Sequence, residues 1–291
     1  MSFTAPSAAP SAAGRTFDFG RTYVVRPKGK HQATIVWLHG LGDNGNSWST
    51  LLETLPLPNI KWICPTAPQR PVTLFGGFPS TAWFDVNDLS ENANDDVHGL
   101  EASATYVASL LANEPADSEL STLVDMMILL LIRALKLGVG GFSMGAATSL
   151  YCATCFARGK FENGNQFSQN ISAVVGLSGW LPCAKTLSSK LEGVAEASGR
   201  AASLPILLCH GKGVCVCVYA RAYIRFLYTP VNLRDDVVAY KFGEKSAEKV
   251  TSTGFRDVTF KSYATLGHYT IPEEMDEVCA WLSSKMGLDG K

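Results

Sequence analysis

The stretch Leu137-Gly138-Val139-Gly140-Gly141-Phe142-Ser143-Met144-Gly145-Ala146 decides how this chain is built. A short apolar run ends in glycine, a serine follows, and an alanine-rich segment over 146–156 continues as an expected helix. A Gly-x-Ser-x-Gly match alone arises by chance. Here it stands between strand and helix, the setting in which a sharp turn lifts a serine hydroxyl clear of the backbone for nucleophilic attack. Gly141 and Gly145 matter because a side chain at either would block that turn. Ser143 is therefore the candidate nucleophile.

Outward from this point, short apolar runs recur at 34–38, 61–64, 173–177, 205–209 and 258–260, several ending at Gly or Pro. An alternating pattern over 16–26, with Tyr23-Val24-Val25, predicts a further strand. Helices are expected over 49–55 and 272–285. Another, capped by Asp95 or Asp96, carries Leu100, Ala104, Val107 and Leu111 at helical spacing before Pro115. Strands alternating with helices predict a mostly parallel sheet covered on both faces. Residues 65–94, rich in proline, glycine and aromatics without periodicity, read as a long functional loop. The low-complexity residues 1–15 are expected to be a disordered tail, and 16–288 a single domain.

The chain has 291 residues, 46% hydrophobic and 18% charged, enough for a large buried core. Its formal charge of −1 offers nothing to a polyanion, which excludes nucleic acid as a partner. Cys64, Cys209 and Cys279 sit in apolar runs, and the first residues carry no secretory apolar segment, so a cytoplasmic location is expected. Cys152-x-x-Cys155 falls within the helix after Ser143 and reads as a pair of core-facing thiols, not as half a metal site. The apolar stretch 126–132 is far short of the ~20 residues needed to span a bilayer.

An α/β-hydrolase needs an acid and then a histidine after its serine, each at the end of a later strand. His210 and His268 are the two histidines beyond Ser143. His268, in Leu266-Gly267-His268-Tyr269 between the last strand and the last helix, is in place for the general base. His210, ending a strand before Gly211, is expected to pack beneath the loop. Asp235 and Asp236 both fit the acid by composition. Oxyanion stabilisation needs backbone N–H donors, which Met144 and Leu41 can supply. No cofactor or metal enters this chemistry.

Leu38-His39-Gly40-Leu41-Gly42-Asp43, Pro65-Thr66-Ala67-Pro68, Trp83-Phe84-Asp85, the serine turn, Leu177-Ser178-Gly179-Trp180-Leu181-Pro182 and Gly267-His268 occur together in order. In this the chain resembles the acyl-protein thioesterases, or lysophospholipase-like carboxylesterases, over 16–285 apart from two stretches. The resemblance implies cofactor-free hydrolysis of acyl thioesters and esters, with S-palmitoylated proteins or lysophospholipids as substrates and transient contact with a membrane surface. It implies Ser143 as nucleophile, His268 as base, Asp235 as orienting acid, and Leu41 with Met144 as oxyanion donors. Leu74, Phe75, Phe78, Trp83, Phe84 and Leu181 are the expected acyl-binding residues, the first five on an apolar, glycine-hinged loop.

Two segments depart from the family pattern. Residues 214–234 separate His210-Gly211 from Asp235, and 118–135 separate the second expected helix from Leu137. The run Val214-Cys215-Val216-Cys217-Val218 is what alternating GT would encode, so both are expected to be retained intron or gene-model error. The alternative to an active enzyme is a hydrolase-fold protein whose acid is displaced and which binds acyl groups or partners without turnover.

Overall fold

The glycine-rich stretch forms β6 (Lys136–Phe142), the middle strand of a seven-stranded sheet. Its neighbours, both parallel, are β2 (Ala33–Leu38) and β7 (Ile171–Leu177). On one side lie β3 (Ile60–Cys64) and the antiparallel edge strand β1 (Tyr23–Val25); on the other lie β8 (Ile206–Gly211) and β9 (Val258–Tyr263). This is a computed structural model, and it describes residues 17–89, 93–114, 135–194, 196–213 and 237–288. A strand so rich in glycine takes the central position because its neighbour is bulky. A Cβ at Gly140 would stand 2.7 Å from the buried Trp37 ring.

Side chains alternate across β2 and so feed two cores. Val36 and Leu38 pack with α2 (Val97–Ala112) and α3 (Met144–Arg158), while Ile35 and Trp37 pack with α1 (Gly45–Leu52) and α7 (Pro272–Lys285). Cys152 and Cys155 both face inward from α3, where burial pushes the Cys155 thiol up to about 12. Helices therefore cover both faces of the sheet.

Several local expectations are revised. Helix α1 starts at Gly45, not at 49, because the Asn44 side chain accepts from the Asn46 and Ser47 amides. Asp96 caps α2 by accepting from the Gly99 amide, whereas Asp95 accepts from the Cys183 amide at 3.0 Å. The expected loop 65–94 contains a ribbon of β4 (Gln69–Val72) and β5 (Phe78–Thr81), joined by one 3-10 turn (Thr73–Phe75). Prolines hid these strands. Pro71 faces Pro79 in register, and an opposed pair exchanges two hydrogen bonds or none, so facing prolines fit a non-bonded pair. Among the described residues there are three more helices: α4 (Ala184–Leu191), α5 (Ala197–Ser203) and α6 (Tyr240–Ser252). The first two are too short for a visible period. The third buries Gly243, Ser246, Ala247 and Val250, a face with one large apolar residue.

The two atypical segments lie outside the described residues, apart from Leu135, but their flanks do not. Glu114, just past α2, is buried and accepts from Thr34 Oγ1 at 2.8 Å and Lys61 Nζ at 2.5 Å. The Lys136 amide donates to Gln32 at 3.1 Å. Both flanks of the first segment thus meet the start of β2. At the opposite edge of the sheet, His210 Nε2 donates to the Val238 carbonyl at 2.7 Å, joining the flanks of the second. Among the described residues, no helix is long and apolar enough to cross a membrane.

Candidate active site

Ser143 joins β6 to α3 with φ 56° and ψ −119°, a conformation that strains any residue carrying a Cβ. Bonds on both sides hold it there: its amide donates to Leu177 at 2.8 Å, and its carbonyl accepts from Ala147 at 3.0 Å. The turn closes directly on the end of β2. A Cβ at Gly145 would collide with the Leu38 carbonyl, and one at Gly141 would lie 2.6 Å from the same oxygen. The side chain of Ser143 is 6% exposed, with its hydroxyl turned to His268.

His268 stands in the turn between β9 and α7. Its Nε2 lies 2.9 Å from Ser143 Oγ, where a serine hydroxyl can donate to an unprotonated ring nitrogen. Phe142 backs the imidazole at 4.8 Å between ring centres, and Trp48 backs Phe142 at 5.6 Å, so the histidine rests on the aromatic core beneath the sheet edge. The structure thus brings Ser143 and His268 together across 125 residues of sequence. Asp235 lies outside the described residues.

The loop 39–43 runs beside the serine: a Cβ at Gly40 would stand 3.4 Å from Ser143 Cβ. Its shape is fixed by Gly42 N donating to Thr81 O, Asp43 N to Gly40 O, and Thr81 Oγ1 to Asp43 O. Leu41, half-buried, and Met144, buried at the start of α3, are the two predicted amide donors. Among the described residues, neither N–H donates to a protein acceptor.

His39 is a residue whose part sequence reasoning missed. It has no exposed surface; Nε2 accepts from the Ala67 amide at 2.9 Å, which leaves the proton on Nδ1 to donate to Gly40 O at 2.7 Å. Trp83 Nε1 donates to the His39 carbonyl at 2.9 Å. Burial holds the imidazole below its ordinary value and therefore neutral, although the Gly40 bond and Asp43 act the other way. The signal was in view, a histidine between strand end and loop, but its partners lie 28 and 44 residues away.

The six predicted acyl-binding residues separate into three groups. Leu74, Phe75 and Phe78 are exposed at the tip of the β4–β5 ribbon, around Gly76 and Gly77, whose φ values are 66° and 85°. Trp83 is buried behind the loop 39–43, with its indole committed to His39. Phe84 and Leu181 line a cavity of about 610 Å³ together with Trp180, Phe242 and Leu89. Neither Ser143 nor His268 lines that cavity; its wall residue Trp180 follows Gly179, where a Cβ would lie 3.1 Å from the Ser143 carbonyl. Phe242 was invisible in the sequence because its helix was.

A mostly parallel sheet with a strained serine at its central strand end defines an α/β-hydrolase. Residues 20–216 match the phospholipase/carboxylesterase family, and the chain belongs to that family. The match ends inside the atypical segment 214–234. A crystal structure of Zea mays acyl-protein thioesterase 2 is 60% identical, with a TM-score of 0.78, over 92% of this chain and 100% of that one. Acyl-protein thioesterase 1 of Cryptococcus neoformans is 30% identical over 89% of this chain and 94% of its own length. Acyl-protein thioesterase 1 homolog 1 of Dictyostelium discoideum is 28% identical over 91% and 96%.

Proposed function

We propose that this protein is a serine hydrolase of acyl thioesters and carboxylic esters, with S-acylated proteins, palmitoylated ones above all, as its substrates. Lysophospholipids present the same acyl chemistry and are the second substrate class. The observation that carries the reading is the 2.9 Å contact between Ser143 Oγ and His268 Nε2 at a strained strand-to-helix turn. Family membership supports carboxylic esters as substrates, and the acyl-protein thioesterase relatives support acyl thioesters.

In this mechanism Ser143 Oγ attacks the acyl carbonyl while His268 Nε2 takes the hydroxyl proton. The oxyanion that forms accepts from the amides of Leu41 and Met144. Collapse expels the thiolate or alkoxide, which leaves with the proton held by His268. A water activated by the same nitrogen then releases the fatty acid. Asp235 is the acid that orients His268. The alkyl chain enters the cavity walled by Phe84, Trp180, Leu181 and Phe242. The apolar ribbon tip, Leu74, Phe75 and Phe78, rests on the membrane surface that presents acylated substrates.

Ser143→Ala tests the reading. The variant should melt within about 2 °C of wild type, because the hydroxyl contributes little packing, and lose at least about 10³-fold in kcat on p-nitrophenyl esters. Turnover near the wild-type rate would rule the mechanism out.

A further inference from the structure

We propose that Thr81 is a positioning residue for the oxyanion donor Leu41, holding the far end of the turn whose near end is held by Trp83. The inference rests on the reading of Ser143, Leu41 and Met144 given above. A backbone N–H stabilises a developing oxyanion only if it is aimed before the charge appears. Leu41 is not held through its own amide, which donates to no protein acceptor among the described residues. Its aim is set by its neighbours. Asp43 N donates to Gly40 O at 3.2 Å, so 40–43 is one turn with Leu41 and Gly42 at its corners. Gly42 takes φ 81°, the value that the second corner of a type II turn requires.

One short stretch of chain grips this turn on both sides of Leu41. Thr81, the last residue of β5, accepts from the Gly42 amide at 2.9 Å and donates from Oγ1 to the Asp43 carbonyl at 2.6 Å. Two residues on, Trp83 Nε1 donates to the His39 carbonyl at 2.9 Å. Thr81 is only half-buried, so water could have satisfied its hydroxyl. Instead both its carbonyl and its hydroxyl engage the two residues that follow Leu41. The grip has a fixed base. The peptide between Thr81 and Ala82 also donates to the Pro68 carbonyl at 3.0 Å. Arg70 of β4 and the Asp85 amide both donate to Asp96 Oδ2, at 2.7 and 2.8 Å, on the residue that caps α2. The ribbon, the turn and α2 are thereby joined, and the Leu41 amide is left open beside Ser143.

The test uses Thr81→Val, which keeps the size and the carbonyl but removes the Oγ1 donor, and Thr81→Ser, which keeps the donor, both in the full chain. Measured per folded molecule on p-nitrophenyl acetate, Thr81→Val should lower kcat by about tenfold, with KM within about twofold, because the oxyanion forms only in the transition state. Thr81→Ser should retain most of the wild-type rate. A trifluoromethyl ketone supplies the second readout. Ser143 Oγ adds to its carbonyl carbon, the hydroxyl proton passes to His268, and the resulting oxyanion needs the same two amides. Its inhibition constant should rise in Thr81→Val by the factor by which kcat/KM falls. Unchanged kcat in Thr81→Val, equal losses in the two variants, or inhibition that does not weaken with kcat/KM would overturn the inference. Ser143→Ala is run alongside. If it is inactive while Thr81→Val is unimpaired, this inference alone fails; if it keeps activity, the underlying reading fails and takes the inference with it.

Discussion

His39 carries a pH dependence that follows from its two ring bonds. The neutral ring is the form that both accepts from Ala67 and donates to Gly40, and burial, the largest influence, lowers its proton affinity below the ordinary value of 6.5. Unfolded chain therefore binds a proton more readily than folded chain. The stabilisation from this group is complete above 6.5 and is lost as pH falls below it through the folded value. His39→Gln should melt lower than wild type at pH 7 but lose less on acidification to pH 5, so that the two melting curves converge. Parallel curves would show that His39 does not titrate between folded and unfolded states. At this scale Ser143 and His268 were legible because each lies at a local break between strand and helix. His39 was legible only as part of a motif, since its work depends on Ala67 and Trp83, which no local pattern connects to it.

Among the elements, the central sheet was readable and the parts that shape the cavity were not. Parallel strands announce themselves as short apolar runs, and six were found within a few residues, five with buried residues and the edge strand β9 with none. The ribbon β4–β5 was masked by Pro71 and Pro79, and α6 by its small buried face, yet these elements contribute the exposed tip and Phe242. The cavity makes a prediction about chain length. Each methylene it buries should add at most ~0.8 kcal/mol, or about fourfold in kcat/KM, so the wild type should improve steadily from acetyl to octanoyl esters. Leu181→Trp, which fills the cavity, should flatten that series while leaving acetyl hydrolysis within about twofold. A flat wild-type series would mean that Phe84 and Leu181 serve the core and not the substrate.

At the scale of the molecule, the two atypical segments enter at opposite edges of the sheet. Residues 118–135 enter beside the start of β2, remote from Ser143, where Glu114 and Lys136 keep the flanks tied. Their expected harm is to folding, because the run 126–132 is a strong strand former of low charge. In the β6 slot, a side chain at position 140 would meet the Trp37 ring, 2.7 Å from a Cβ there. Residues 214–234 enter at the edge that presents the catalytic groups. Loop-closure entropy grows only with the logarithm of length, so the cost lies in placing the acid and not in closing the loop. Deleting 214–234 should raise kcat/KM, and deleting 118–135 should mainly raise soluble yield. Equal kcat/KM with and without 214–234, on folded protein, would show that the segment does not impair the site. Sequencing the transcript decides the origin of both segments: a dominant message containing them would defeat the intron reading.

The central claim is that Ser143 is an activated nucleophile in this chain as it stands, and fluorophosphonate labelling measures that directly. The account predicts one phosphonyl group per folded molecule, mapped by mass spectrometry to Ser143, with labelling abolished in Ser143→Ala and slowed by at least about 10²-fold in His268→Ala. An unlabelled wild-type chain, or label on a residue other than Ser143, would contradict it.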